Sequence, residues 1–522
     1  MKIQHPGFNH ALLLVFLAIL ALLPGCATHQ LQQAESEPIP DYHLPPAESG
    51  TLYRLSENST TTAGEDFSAF LPLSDNADAM RWRLLLVDLA QQSIDAQYYL
   101  WNGDETGKLL AVRLYDAANR GVQVRLLVDD VFLLSADDDI VLLDRHPNIE
   151  VRVFNPWQKR GSVWQRGIEF MGFAKQLNQR MHNKLLVADN RFAIVGGRNI
   201  GNAYFGLSRK YNFRDLELIC AGPVTDKISD SFDVYWNDKW ATPGEAFERP
   251  GRTLPPPGVV RQEIHAGLDK SERLRLADFD NDRLWARHLE EFAAIAAAGQ
   301  AWVVYDDPPS AFENDAGVRK IEKLRDIDVD ISSEMLIASA YFIPTPDFME
   351  RLIEHRKRGV QIRVLTNSMA STNHTMVNSG YAPWRRKLIE AGIELYEYRK
   401  RPGDTTEIEQ EDIAARFITL HTKAFVVDRE YSYVGSLNMD PRSMHINSEM
   451  GLLVYDPELA DMIADLIEHD MQPENAWRVD IDENDRLTWT SSAGTVYRQP
   501  ARHFGQRVAD FFYSLLPIKD QL

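Results

Sequence analysis

The chain reads His182-Asn183-Lys184-Leu185-Leu186-Val187-Ala188-Asp189, and 239 residues later it reads His421-Thr422-Lys423-Ala424-Phe425-Val426-Val427-Asp428. In both copies six residues separate the aspartate from a Gly-x-x-Asn motif, which is Gly196 to Asn199 in the first copy and Gly435 to Asn438 in the second. Two such patterns in register do not arise by chance. The repeat predicts a duplicated domain.

The duplication extends upstream of these motifs. Arg120 to Leu127 parallels Arg358 to Leu365, and each stretch is an Arg-Gly turn that leads into an apolar strand. Short β-branched runs alternate with amphipathic segments, which is typical of a sheet covered by helices on both faces. We therefore predict an α/β fold made of two similar lobes.

Composition limits the classes of protein to consider. With 522 residues, 44% of them apolar and 25% charged, the chain is long enough for two or three folded domains and is neither disordered nor collagen-like. Its formal charge of −20 opposes non-specific binding to nucleic acid, which needs cations to displace counterions. No nucleic-acid partner is expected, and two cysteines do not make a disulfide framework.

The first 26 residues have the features of an export signal. Ala11 to Leu23 is an apolar run of 13 residues, which is too short to span a bilayer and typical of a signal peptide. Leu23-Pro24-Gly25-Cys26 resembles the lipobox of bacterial lipoproteins, in which the cysteine is acylated. We expect an exported, membrane-anchored lipoprotein on the periplasmic side of a bacterial membrane, with residues 27–50 as a tether. A plain secretory signal and a buried apolar helix are the alternatives.

The remaining boundaries follow from the repeat and from composition. We predict a first lobe at 51–249, an inter-lobe segment at 250–330, a second lobe at 331–480 and a C-terminal tail at 481–522. Within these, Asp278 to Ala298 is expected to be helical. The apolar end of the tail is expected to be a packed helix, and membrane contact is the alternative because the tail carries Arg502 and Arg507.

The two motifs bring together groups that suit a phosphodiester. Alternation along a strand puts His182 and Lys184 on one face, and likewise His421 and Lys423. Lysine neutralises phosphate oxygens, and asparagine and glycine N–H groups donate to them, so we expect Asn199, Asn438, Gly196 and Gly435 to contact the substrate. One neutral imidazole can attack phosphorus while the other, protonated, donates to the leaving alkoxide.

The two aspartates of the motifs are predicted to be structural. Asp189 and Asp428 lie at the turns between two apolar strands, and a carboxylate beside a phosphate would repel it. A metal site is disfavoured because each motif supplies one histidine and a cation, so no metal and no cofactor are expected.

With these residues in place, the two motifs resemble the paired HKD motifs of the phospholipase D superfamily. Gly196 to Phe205 and Ser379 to Leu388 further resemble the C-type bacterial cardiolipin synthases. The resemblance implies a two-lobed α/β/α sandwich pseudo-dimer with one active site between the lobes, no metal, and phosphatidyl transfer through a phosphohistidine.

The resemblance also implies residue roles. His182 would be the nucleophile and His421 the general acid and base, while reasoning from the residues alone leaves these two exchangeable. An acidic residue downstream of each motif would orient an imidazole, and Glu449 and Asp215 occupy those places. Ser436 has the hydroxyl that is usual in this family and would bond the phosphoryl group, whereas the first motif departs from the pattern with Gly197.

The predicted function is therefore a phosphatidyltransferase that makes cardiolipin from phospholipids at a membrane surface. Phosphatidylglycerol is the expected substrate, with phosphatidylethanolamine as a second candidate. Phospholipid hydrolysis is the closest alternative, followed by a nuclease or a non-catalytic lipid-binding lipoprotein. The oligomeric state is left open.

Overall fold

A computed structural model describes residues 31, 39–60, 66–131, 133, 136–160, 163–256, 259, 282–314, 319, 324, 329–410 and 412–516. The predicted signal peptide, with Cys26, lies outside these residues. None of the helices in the described ranges has both the length and the apolar character needed to span a bilayer.

Two lobes built from the same elements make up the described chain. The first lobe contains α1 (Gly50–Thr60), β1 (Ser68–Leu73), α2 (Asn76–Leu89), β2 (Ser93–Tyr98), α3 (Glu105–Asn119), β3 (Gln123–Asp129), α4 (Asp137–Asp144), β4 (Ile149–Phe154), α5 (Val163–Asn178), β5 (Leu185–Ala188), β6 (Phe192–Gly196), β7 (Asn212–Arg214), β8 (Glu217–Ala221), α6 (Val224–Trp236), β9 (Ala241–Pro243) and α7 (Asp282–Ile295).

The second lobe contains β10 (Ala297–Tyr305), β11 (Glu334–Ser339), α8 (Pro346–Lys357), β12 (Gln361–Asn367), α9 (Thr375–Tyr381), α10 (Trp384–Glu390), β13 (Glu394–Tyr398), β14 (Ile418–Leu420), β15 (Lys423–Val427), β16 (Tyr431–Gly435), α11 (Pro441–His445), β17 (Met450–Tyr455), α12 (Pro457–Met471), β18 (Ala476–Ile481), β19 (Leu487–Ser491), β20 (Gly494–Val496) and α13 (Phe504–Ser514).

Strand pairing repeats between the lobes. In the first lobe β2, β3 and β4 are parallel, and β5, β6 and β8 continue the sheet from β2 as antiparallel strands. In the second lobe β11, β12 and β13 are parallel, and β15, β16 and β17 continue in the same way from β11. The predicted two-lobed α/β fold with an internal duplication is confirmed.

Helices cover the sheets on both faces, as the continuous apolar strands require. Every residue of β2 and of β5 is buried. On one side α2 and α3 contact each other in a core that includes Leu84 and Leu110, and α6 packs through Phe232 and Trp236 into a second core. The helix predicted within Asp278 to Ala298 is present as α7.

One strand joins the two sheets. β10 pairs with β1 through Ala297 to Gly299 and with β17 through Gln300 to Tyr305, so the lobes share an 18-stranded sheet. The second lobe therefore begins at β10 and not at residue 331, because this strand supplies the sheet edge that β1 supplies in the first lobe. Its sheet also extends past residue 480, since β18, β19 and β20 are paired in sequence.

Two further expectations differ from the structure. Residues 39–50 are not a free tether: His43 contacts Asp233 at 2.8 Å, and Ala47 donates its N–H to Asp189 O at 3.0 Å. The apolar helix of the C-terminal tail is not packed along its apolar face, since Phe504, Phe511 and Phe512 of α13 are exposed. Only its polar side, through Gln506, is held against the second lobe.

Candidate active site

Two matching hairpins carry the motif residues. β5 and β6 are joined by Asp189-Asn190, and β15 and β16 turn through Asp428-Arg429. All four turn residues have φ between 49° and 55°, which is the conformation of a tight turn that matches the twist of a hairpin. Each hairpin therefore returns its Gly-x-x-Asn motif to the end at which its histidine lies.

Short pairings between the lobes place each histidine beside a segment of the opposite lobe. The N–H of His182 donates to Ser448 O at 2.9 Å, and the N–H of His421 donates to Arg214 O at 2.7 Å. β14, which precedes His421, pairs in parallel with β7. These pairings bring the carboxylates that follow Arg214 and Ser448 against the imidazoles.

The imidazoles and carboxylates are paired across the lobes. His182 Nδ1 lies 2.8 Å from Glu449 Oε2, and His421 Nδ1 lies 2.6 Å from Asp215 Oδ2. A carboxylate that accepts from Nδ1–H leaves Nε2 unprotonated and directs it to the site. Each lobe thus orients the histidine of the other.

Sheet register makes Asp215 and Glu449 structural equivalents. Gly196 pairs with Glu217 on β8, and Gly435 pairs with Gly451 on β17. Asp215 and Glu449 each precede that pairing partner by two residues. The extra residues between Asn199 and Asp215 lie in the segment before β8 that contains β7, so the unequal spacing in the sequence does not displace the carboxylate.

Lys184 and Lys423 are both buried, and each makes the same hydrogen bond. Lys184 Nζ donates to His182 O at 2.5 Å, and Lys423 Nζ donates to His421 O at 2.5 Å. Burial lowers the pKa of Lys184 to about 7 and that of Lys423 to about 8, although Glu449 and Asp215 oppose the shift. Glu449 and Asp215 do not fully balance the positive charge of these ammonium groups, so the binding of an anion in the site is favoured.

The two histidines share one electrostatic environment. Burial lowers the pKa of His182 well below its ordinary value, and Lys184 and Lys423 add to the effect. Burial and Lys423 lower the pKa of His421 to about 3, and Lys184 contributes from the opposite motif. Both rings are therefore neutral near pH 7 before an anion binds.

The carboxylates differ in protonation. Burial raises the pKa of Glu449 to about 8, against the opposing influence of Lys184 and of a hydrogen bond from Ser436. Burial also acts to raise the pKa of Asp215, but the charge and hydrogen bond of His421 outweigh it and hold the pKa below its ordinary value. His421 therefore faces the more firmly ionised partner.

Comparison with known proteins gives the family. Residues 85–236 and 330–471 each match the family described as "Cardiolipin synthase, PLD-like domain", and the two matches cover both lobes. The chain belongs to this cardiolipin synthase family. It is 33% identical over 467 residues to cardiolipin synthase C of Escherichia coli (strain K12), covering 86% of this chain and 95% of that one.

Other relatives agree with this placement in the cardiolipin synthase family. The major cardiolipin synthase ClsA of Bacillus subtilis (strain 168) is 24% identical over 423 residues, which is 80% of this chain and 72% of the relative. Among solved structures, the phosphatidylserine synthase of Haemophilus influenzae Rd KW20 superposes with a TM-score of 0.52 at 13% identity, over 82% of this chain and 91% of that one. The superposition supports the fold, and membership of the phospholipase D superfamily is confirmed.

The asparagines of the two motifs, Asn199 and Asn438, differ in their hydrogen bonds. Asn199 Oδ1 accepts from Leu100 N–H at 3.1 Å, and its amide donates to Tyr204 Oη at 3.0 Å. The buried Asn438 Oδ1 has no hydrogen-bond partner in the described part of the chain. The Asn199 side chain therefore holds its own loop in place, and one N–H of its amide remains available to a ligand.

Three residues expected to touch substrate have other contacts. Ser436 Oγ donates to Glu449 Oε2 and accepts from Met450 N–H at 3.0 Å, so the expected bond to a phosphoryl group is replaced by one to a carboxylate. A Cβ on Gly196 would lie 2.6 Å from Glu217 Cα, and one on Gly435 would lie 2.4 Å from Met450 O. The close approach that requires these glycines is made by the neighbouring strand and not by a ligand.

Aromatic rings complete the site, and reasoning from the sequence assigned no role in it to the rings of Tyr204 and Phe213. Tyr99 lies 4.8 Å from the His182 ring, centroid to centroid, and 5.3 Å from Lys184 Nζ. Phe213 lies 4.6 Å from the His421 ring and Tyr204 lies 5.5 Å from it. Tyr99 follows the end of β2, where the parallel strands point to the histidines, and that position was the available signal.

Two further aspartates accept backbone N–H groups of residues in or next to the site. Asp306 accepts the N–H of Glu449 at 3.0 Å, and Asp129 accepts the N–H of Met181 at 3.0 Å. Within the described residues, no group of three or more histidine, cysteine or acidic side chains is placed to hold a metal ion.

The motif aspartates serve the hairpin turns. Asp189 accepts the N–H groups of Gln91, Gln92 and Ser93 at 2.7 to 3.1 Å. Asp428 accepts equivalently from residues 332–334, and although partial burial acts to raise its pKa, these N–H groups lower the pKa to about 2. Both carboxylates tie a hairpin to the start of the neighbouring parallel strand.

We expect Asp189→Asn to lower stability and to spare the chemistry. The amide places an N–H against the N–H of Gln91, which should cost about 2 kcal/mol of unfolding free energy. Thermal and urea unfolding would measure the loss, and kcat per folded molecule should stay within about twofold of the parent value. A large fall in kcat with unchanged stability would contradict the structural role.

Anion binding is expected to consume protons. Because the pKa values of Lys184 and Lys423 are lowered to about 7 and about 8, part of each ammonium population is deprotonated at pH 7.5, and a bound dianion favours the charged form. Isothermal titration with tungstate in two buffers of different ionisation enthalpy should show uptake of roughly one proton per anion. Lys184→Met should reduce the uptake, and net proton release would contradict the assignment.

Proposed function

We propose that the protein transfers a phosphatidyl group from one phospholipid to the hydroxyl of another and so makes cardiolipin. The observation that carries the proposal is the crossed pairing of His182 with Glu449 and of His421 with Asp215, which gives one site two imidazoles with free Nε2 atoms. Membership of a cardiolipin synthase family and a phosphatidyltransferase relative of the same fold support it.

The transfer takes two displacements at phosphorus. In the first, Nε2 of one histidine forms a P–N bond while the P–O bond to the leaving glycerol breaks, and the other histidine, as imidazolium, protonates that alkoxide. In the second, the now neutral imidazole takes the proton of the acceptor hydroxyl, whose oxygen forms the new P–O bond as the P–N bond breaks. Lys184 and Lys423 balance the charge on the non-bridging oxygens.

The two carboxylates support a division of labour. An imidazolium is more stable beside an ionised carboxylate, and Asp215 is the more firmly ionised of the pair. We therefore assign the proton transfers to His421 and the nucleophilic attack to His182. His182 keeps a lone pair on Nε2 because Glu449 Oε2 accepts from its Nδ1–H.

A vesicle assay separates transfer from hydrolysis. The purified protein would be added to phosphatidylglycerol vesicles with and without phosphatidylethanolamine, and the products read by mass spectrometry. Cardiolipin without phosphatidic acid is expected, and His182→Ala serves as the inactive control. Phosphatidic acid as the main product would replace the proposal with hydrolysis, and no product would refute lipid chemistry under these conditions.

We further propose that the protein is an exported lipoprotein attached through Cys26, on the strength of the lipobox-like Leu23-Pro24-Gly25-Cys26. Several acyl chains would hold it firmly at a bilayer, where its substrates reside. Metabolic labelling with a fatty acid should mark the protein, and Cys26→Ser should lose the label. Retained label in that variant would overturn the proposal.

A further inference from the structure

The active-site end of the molecule carries an unpartnered apolar helix beside a cluster of cations. α13 and the residue that caps its C-terminal end expose four large apolar side chains by 60 to 79%, and these are Phe504, Phe511, Phe512 and Leu515. Such a row on one short helix is unusual on a protein surface that faces only water. It marks a surface that contacts something apolar.

The helix is held at the same end of the sheet as the histidines. Lys423 pairs with Ser339 at the carboxyl end of β11, and the parallel strand beside it, β12, ends at Asn367. Arg502 Nη1 donates to Thr372 O at 2.6 Å, and Gln506 Nε2 donates to Met369 O at 2.5 Å. α13 is thereby tied to the loop that leaves β12 at this end.

A basic pocket of about 450 Å³ lies against α13. Its lining includes five cations and no carboxylate, and the cations are Arg399, Lys400, Arg401, Arg498 and Arg507. Arg401 pairs with Glu409 at 3.5 Å, and Arg399 donates to Glu474 O. Lys400, Arg498 and Arg507 line the same pocket, and Lys400 and Arg498 are exposed.

The separation of this basic pocket from an otherwise acidic protein indicates which kind of partner binds there. The whole chain has a formal charge of −20, so a carboxylate-free pocket with five cations stands out against a surface that repels anions. Cations beside exposed aromatic side chains are the combination that binds an anionic bilayer, with phosphates at the cations and rings among the acyl chains.

The first lobe adds a second apolar element at the same end. α5 leaves the loop after β4 and exposes Trp164, Met171 and Phe173 by 59 to 76%. The N–H groups of the buried Asn155 amide donate to Gln176 O and Gln179 O, which ties the end of α5 to the carboxyl end of β4. Apolar helices thus flank the active-site end in both lobes.

We propose that α13 and the basic pocket form a docking surface for the headgroups and outer acyl region of an anionic phospholipid bilayer, with α5 as a second contact. The surface is separate from the catalytic side chains, and the inference holds whichever lipid reaction is catalysed. Docking here presents the active-site end to the bilayer.

The test measures binding without turnover. The mature chain from residue 27 onwards, with His182→Ala, neither turns over nor carries an acyl chain or the apolar signal segment. In this background the docking variant is Lys400→Gln/Arg498→Gln/Arg507→Gln, and the control removes three exposed cations elsewhere, as Arg54→Gln/Lys227→Gln/Lys357→Gln. Both lose the same charge.

The vesicles are phosphatidylcholine with about a third phosphatidylglycerol, or phosphatidylcholine alone. The docking variant should bind the anionic vesicles at least about tenfold more weakly than the control variant. Peptides within residues 498–516 of the unsubstituted background should gain hydrogen-exchange protection with anionic vesicles. Phe511→Ser/Phe512→Ser should weaken the binding that remains at high salt.

Several results would overturn the docking surface. These are equal binding by the two charge variants, equal binding to neutral vesicles, no protection of residues 498–516, protection by inorganic phosphate alone, or protection that follows from dimerisation without lipid. With a soluble short-chain phosphatidyl donor, the docking substitutions in the active protein should leave turnover within about twofold. Failure of docking is thereby distinguishable from failure of the proposed chemistry.

Discussion

Replacing His421 by alanine is expected to leave a protein that takes up one phosphatidyl group and keeps it. His182 retains its partner Glu449 at 2.8 Å and can attack a donor whose leaving group needs no proton, such as a nitrophenyl ester. The acceptor hydroxyl then lacks a base, so the P–N adduct persists. Turnover should fall by at least about 10³-fold while intact-mass analysis shows a stoichiometric adduct on the peptide that contains His182.

His182→Ala is the matched control, because it removes the other imidazole of the same site. It should show neither turnover nor adduct with any donor. An adduct on His421 in this variant, together with none on His182 in His421→Ala, would reverse the two roles. Substantial turnover by either variant would refute a shared site.

Glu449→Gln is expected to reproduce the His182 defect, although Glu449 lies in the same lobe as His421. A neutral amide does not stabilise the positive charge that builds up on His182 as its Nε2 attacks phosphorus, and an amide N–H turned towards Nδ1 would place the ring proton on Nε2. Adduct formation should slow by about 10²- to 10⁴-fold, in line with the cost of a misassigned tautomer in other triads.

Asp215→Asn should instead reproduce the His421 defect, since Asp215 lies 2.6 Å from that imidazole. The nitrophenyl donor should still form the adduct, and its transfer to an acceptor should be slow. The rate of each half-reaction, measured against pH, distinguishes this from a loss of folding, because a structural defect would lower both. The crossed pattern would be contradicted if each carboxylate variant resembled the histidine variant of its own lobe.

The sequence predicted the parts of this molecule that repeat. Alternating strands and helices, the two hairpins and the equivalence of His182 with His421 all follow from local periodicity and from duplication. Local patterns also predicted that Asp189 and Asp428 lie at turns, and both have the positive φ that such turns require.

The relations between lobes could not be predicted in the same way. Which carboxylate meets which imidazole depends on the pairing of β7 with β14 and of Met181 with Ser448, which joins segments more than 200 residues apart. The contact of Ser436 with Glu449 could not be predicted for a similar reason, because its hydroxyl reaches Glu449 only once β16 and β17 are in register.

The exposed face of α13 was only the alternative prediction, and a packed helix was the favoured one. An apolar stripe in a sequence favours burial, and nothing local distinguishes a stripe that packs on its own protein from one that does not. The outcome depended on how much of the second lobe was already covered, which is a property of the assembled sheet.

β10 has a consequence for how the molecule unfolds. β10 forms main-chain hydrogen bonds with β1 of the first lobe and with β17 of the second lobe. The two lobes therefore cannot separate at β10 without breaking main-chain hydrogen bonds. Calorimetry should therefore record a single endotherm for both halves. A proteolytic cut that released one lobe would separate each histidine from the carboxylate that the other lobe supplies.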